Sequence, residues 1–363
     1  LYARSRITDV DEYQARPQHY ALAMAAPQSD EAHPLKFRIL RAVPILIVLG
    51  LLVHFLLPRL DTIEDSLATL RTLKPWAIGL SLIMEVLSYV ANGALLQSVI
   101  QMAGERMSLR RAAAIEIGAG SVALVAAGAL GFGAAIYKWT TKRGVDADAA
   151  LLASWLPSVF DAAALVVFAL VGAIELLHLH QLSRVTVVAL SVVVSVLTVA
   201  IGGAVALLAR NDWLRALSKR AARLIKRFRP KWSDAGLMAA VETTSESWQK
   251  MRGGGWVRPA CCSMMVLTFD LLCLRYAFLA AGHSLHISLL LAGYGVPLLL
   301  GRASFLPGGI AVVEVAMTAL YGGLGVPASV AVVAVLTYRL ISFWLPALAG
   351  IPIAITLQSP RRS

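Results

Sequence analysis

Long apolar runs separated by short polar or basic segments fill the chain from residue 42 to residue 357. The runs at 42–57, 76–98, 151–174, 185–209, 257–281 and 328–357 are continuous and do not alternate with period two, so they predict helices and exclude strands. Helices of this order cross a hydrocarbon core of about 30 Å. Two more apolar regions, 112–136 and 287–324, are interrupted by glycine or proline. The pattern predicts an all-α, polytopic integral membrane protein with about six full spans and two broken or re-entrant regions. It divides the chain into a polar, disordered N-terminal tail (1–38), a first membrane half (39–209), a basic loop (210–255), a second membrane half (256–357) and a short tail (358–363).

Composition agrees. Of 363 residues, 58% are hydrophobic and only 15% charged, against roughly 25% charged in soluble domains. The net charge of +12 has a topological origin. Residues 210–231 carry nine basic side chains against one acid, Asp212, the bias of a cytoplasmic loop and not a nucleic-acid surface. Lys36, Arg38 and Arg41 before the first run, Arg106, Arg110 and Arg111 after the second, and Arg361 with Arg362 place both termini in the cytoplasm. Region 112–136 then enters and leaves from the cytoplasmic side, and 287–324 from the outer side. Charge counting admits either a re-entrant hairpin or two complete crossings for each.

The stretch GVDADAALLASWLPSVFDAAALVV from Gly144 aligns with GVPASVAVVAVLTYRLISFWLPAL from Gly325. Each follows a glycine-broken region and a Gly-Val turn, and the spans before the two units run in opposite directions. That is the pattern of an inverted pseudo-repeat, whose sites lie at midplane between broken helices. Ser158 falls opposite Arg339, and Asp161 opposite Ser342.

Glu85, Asp161, Asp270, Arg275, Arg302, Glu314 and Arg339 all fall within apolar segments. A charge at the bilayer centre costs about 2.5–3.5 kcal/mol on insertion scales, so each needs a partner or a wet cavity. Arg339 has the planar fork that grips a phosphate, and Glu314 or Asp161 is its natural counter-ion. Asp270 and Arg275, five apart on one helix, call for separate partners. Pro307, Gly308 and Gly309 mark a helix break beside a protein-lined cavity, as do Gly131 and Gly133 in the first broken region; exposed backbone is not tolerated in lipid. Cys261, Cys262 and Cys273 have no CxxC spacing and predict neither zinc nor a disulfide framework. The chain carries no Walker lysine motif, HExxH or Ser-His-Asp arrangement. No enzymatic activity, cofactor or metal is expected.

The segment PGGIAVVEVAMTALYGGLGVPASVAVVAVLTYRLISFWLPALAG resembles the lysylphosphatidylglycerol synthase transmembrane (flippase-like) family. Pro307, Gly308, Gly309, Glu314, Gly325, Tyr338, Arg339, Pro346 and Gly350 occupy that family's motif positions, and Ala311 stands where a further glycine is usual. In the first half, LGFGA and YKWTTKRGV resemble the glycine-rich turn and basic segment, with Ser158 in place of the usual helix arginine. The resemblance implies a stand-alone module, without an aminoacyl-transferase domain, that binds or translocates an anionic phospholipid or glycolipid across the cytoplasmic membrane. Arg339, Glu314, Tyr338, Asp161 and Arg302 are the expected headgroup residues. A non-transporting partner of a lipid- or envelope-modifying enzyme, and a proton-coupled small-solute transporter, are the competing expectations.

Overall fold

The structure, a computed structural model, describes residues 68–69, 71–125, 128–178, 255–304 and 306–358, with isolated positions between 188 and 223. The expected span 42–57, most of 185–209 and nearly all of the basic loop lie outside them. Eight helices and no strand occur among the described residues. They are α1 (Pro75–Met102), α2 (Leu109–Val125), α3 (Ala129–Lys142), α4 (Ala147–His178), α5 (Val257–Ala280), α6 (Ile287–Ala303), α7 (Val312–Gly323) and α8 (Ala328–Gln358). By length and composition α1, α5, α8 and the Ala147–Gly172 part of α4 are able to cross a membrane.

The order long, short, short, long therefore occurs twice, as α1 to α4 and as α5 to α8. The junctions also recur. All seven glycines with positive φ among the described residues lie at them: Gly104 and Gly282 after the first helix of each set, Gly128 and the Gly308–Gly309 pair at the hairpin tips, and Gly144 and Gly325 before the last helix. Only glycine enters this backbone region without steric cost.

α1 and α5 run antiparallel along their whole length. The Lys74 N–H donates to Ala280 O at 3.0 Å, Ser81 Oγ to Cys273 O at 2.8 Å and Ser88 Oγ to Val266 O at 3.2 Å, and Arg258 reaches Gln101 at the far end. α2 lies against α8, where Gly350 leaves room for the Ile117 carbonyl, and α4 lies against α6, where Gly172 and Gly295 admit Ala292 and Ala169. Backbones approach this closely only where a side chain is absent, the usual device for packing helices in lipid.

Each short pair is a hairpin. At 17 and 14 residues, α2 and α3 reach about 26 and 21 Å at 1.5 Å per residue, less than the hydrocarbon core. α3 returns to the end where α2 began: Lys142 Nζ donates to Leu357 O and Gln358 O, and Gly118 on α2 also faces Leu357. α6 and α7, 17 and 12 residues long, close the same way at the other end, where Tyr321 Oη donates to Leu290 O and packs edge-on against Phe278. The break in the first hairpin is at Gly128 (φ 56), which corrects its expected position. Gly131 and Gly133 lie inside α3.

The outward faces are apolar. Leu336, Leu340, Leu348, Ile351 and Ile355 form an exposed stripe down α8, and Ile83, Val86 and Val90 do so on α1. Ser81, Glu85, Ser88, Glu116 and Arg339 turn inward, since polar groups find no partner in hydrocarbon.

Candidate functional site

α6 ends at Ala303 and α7 begins at Val312, with a single 3-10 turn, Pro307–Gly309, between them. Gly308 (φ 62), Gly309 (φ 63) and Ala311 (φ 69) all take positive φ, so no continuous ladder spans the break. A carbonyl freed inside a membrane must find a donor. Here Gly308 O accepts from Arg339 Nη2 at 2.9 Å. Protein packs on part of the turn: the buried Gly309 backs onto Gly301, and the Phe343 ring occupies the space a Gly308 side chain would fill, while Gly308 itself is exposed.

Arg339 is 5% exposed. Its Nε donates to Glu314 Oε1 at 2.6 Å, and its guanidinium carbon lies 4.5 Å from the centre of the Phe343 ring. Glu314 sits in the first turn of α7, where the helix dipole favours a negative charge. Its second oxygen, Oε2, is buried and meets no donor. Arg339 is followed at once by a π-helical turn, Leu340–Trp344, that interrupts α8 and carries Phe343. Such turns often accompany functional sites because they re-aim side chains. Of the two counter-ions expected for Arg339, Glu314 is the one it contacts.

The other expected headgroup residues lie elsewhere. Asp161 on α4 accepts from Ser263 Oγ at 2.8 Å and faces Arg302 on α6 at 3.9 Å. Arg302 is 43% exposed, so this pair is loose and largely screened. Tyr338 turns away from the Arg339 pair and donates to Asp270 Oδ2 at 2.8 Å. Tyr294 Oη donates to the same oxygen at 2.6 Å. Arg275 is exposed, so Asp270 and Arg275 do have separate surroundings.

Tyr294, Phe343 and the buried Glu116 of α2 escaped the sequence reading. Glu116 was legible as a charge in an apolar stretch. Tyr294 and Phe343 carried no signal, because aromatic residues in apolar helices read as core.

No individually curated protein matches the sequence. The lysylphosphatidylglycerol synthase TM region is matched over residues 41–350, the greater part of the chain, and the protein belongs to that family of membrane modules.

Proposed function

We propose that the protein is a flippase-like membrane protein that binds the anionic headgroup of a phospholipid or glycolipid at Arg339 and moves it across the cytoplasmic membrane. The observation that carries this reading is the Arg339–Glu314 pair at the hairpin break. A guanidinium is held at 5% exposure by one carboxylate, one backbone carbonyl and one ring, all of which a phosphate is able to replace. The antiparallel α1 and α5, and hairpins that open at opposite ends, support an inverted pseudo-repeat of the kind that alternates access around a central site. The basic residues at 106–111 and 210–231 support cytoplasmic termini. In this role the chain performs no covalent chemistry, and an enzyme that modifies the lipid is its natural partner.

The test is translocation of fluorescent phosphatidylglycerol in vesicles containing the purified protein, with thermal stability followed in parallel. Wild type accelerates translocation, and Arg339→Lys, which keeps the charge but loses the fork, weakens selectivity for anionic over zwitterionic lipid. Wild-type translocation by a destabilised Arg339→Ala would reduce Arg339 to a structural ion-pair member.

A further inference from the structure

The seam between α1 and α5 carries two carboxyl groups that the headgroup site does not use. The contacts Ser81 to Cys273 and Ser88 to Val266 fix its register, and Glu85 and Asp270 fall between them at one level. Glu85 is 4% exposed, and no hydroxyl or N–H reaches its Oε2. The register sets its carboxyl beside that of Asp270, close enough for the two to act on each other, with the Cys273 thiol alongside. Two ionised carboxylates are acceptors only and cannot hydrogen-bond to each other. A single O–H between them removes the clash of two acceptors and halves the charge, as in carboxyl pairs that share one proton. The negative charge that remains is held by Tyr294 and Tyr338, which both donate to Asp270 Oδ2.

The surroundings of the pair come from every packed element. α1 adds Ser81 and Tyr89, α5 Cys273, α6 Tyr294, and α8 Tyr338 with Arg339. Asp161 of α4 acts on Asp270 at longer range, and Glu116 of α2 acts on Tyr89. Glu314 of α7 enters through Arg339. Tyr338, which bonds Asp270, immediately precedes Arg339, which bonds Glu314. An anion that draws Arg339 toward itself therefore pulls on the turn that holds Tyr338 and takes away a cation facing the carboxyls.

We infer that Glu85 and Asp270 form a one-proton binding site at the seam between the two helix sets, and that its occupancy is coupled to an anion at Arg339. The first part stands without the transport reading, and the second rests on it. Infrared spectroscopy of the purified full chain tests the first. The wild type shows a protonated-carboxyl stretch at neutral pH that shifts in heavy water and is lost in both E85Q and D270N. E85Q, a neutral isostere of the protonated acid, also unfolds at the wild-type temperature, whereas E85A does not. A missing band, a band indifferent to both variants, or an E85Q as unstable as E85A overturns the proton site.

Vesicles of phosphatidylcholine and phosphatidylglycerol with fluorescent phosphatidylglycerol as the probe test the coupling. An imposed pH gradient changes the wild-type translocation rate severalfold, with about tenfold per pH unit as the ceiling for one proton, and E85Q and D270N lose that response. A translocation rate indifferent to the gradient, or a response unaltered in the variants, overturns the coupling while the flippase reading stands. No translocation at all refutes that reading and with it the coupling, and leaves the proton site on its infrared result.

Discussion

Arg339 Nη2 and Gly308 O lie 2.9 Å apart across 31 positions of sequence, so the cation that neutralises Glu314 also completes the backbone of the hairpin break. Charge balance and backbone satisfaction are joined in one side chain. Removing Arg339 thus strands two acceptors at once.

Arg339→Ala is expected to cost about 3–5 kcal/mol, the usual penalty for leaving one member of a buried ion pair. Glu314→Gln in the same chain removes the stranded charge and recovers part of the loss, because Gly308 O still lacks its donor. Thermal unfolding of the two single variants and the double variant gives the coupling. Strictly additive losses would show that the pair is not formed.

Ala311 sits at φ 69 where the resemblance expects glycine. Ala311→Gly is expected to stabilise the protein by about 1 kcal/mol, since a side chain in left-handed backbone costs about 1–2 kcal/mol and glycine's greater freedom in the unfolded chain takes some of that back. Gly308→Ala acts in the opposite direction and more strongly, because its new Cβ meets the Phe343 ring as well as an unfavourable φ. A paired melting experiment in detergent reads both, and a lowered midpoint for Ala311→Gly would contradict the strain.

How much of this was legible in the sequence depends on the kind of information each feature carries. The expected spans 76–98, 151–174, 257–281 and 328–357 lie within α1, α4 and α8 and overlap α5 to within a residue, because continuous apolarity is a local property. The break at Pro307-Gly308-Gly309 was equally local. In the first hairpin, Gly128, Gly131 and Gly133 compete within six residues, and only the backbone angle at Gly128 separates the turn from the helix that follows it. Glu314 was legible as one of two counter-ions for Arg339 because the two lie on consecutive helices, α7 and α8. The two tyrosines on Asp270 come from α6 and α8, 24 and 68 positions away, and no periodicity points to them.

Tyr294→Phe and Tyr338→Phe each remove one donor from Asp270 and are each expected to cost about 1–3 kcal/mol. Either tyrosine alone still leaves Asp270 Oδ2 with a partner, so the double variant is expected to lose more than the sum of the two. Denaturation midpoints of the four proteins measure this, and simple additivity would mean that the tyrosines act independently.

The antiparallel seam places the α1–α2 corner and the α5–α6 corner at opposite ends of the bundle, with Arg106, Arg110 and Arg111 at the former. In a background with the three native cysteines replaced, Ser284→Cys is expected to react with an impermeant reagent in intact cells. Ser108→Cys should react only after the cells are permeabilised. The reverse pattern inverts the orientation.

Glu85 and Asp270 are separated by about 185 residues. At translation rates of about 5–20 residues per second, the ribosome delivers Glu85 to the bilayer about 10–40 s before its companion exists. During that interval α1 holds an acid in the membrane without the seam that shelters it. A protonated Glu85 avoids the cost of about 2.5–3.5 kcal/mol that a charge meets at the bilayer centre, so a proton at this position, as inferred for the finished pair, would also ease insertion of the half-built protein.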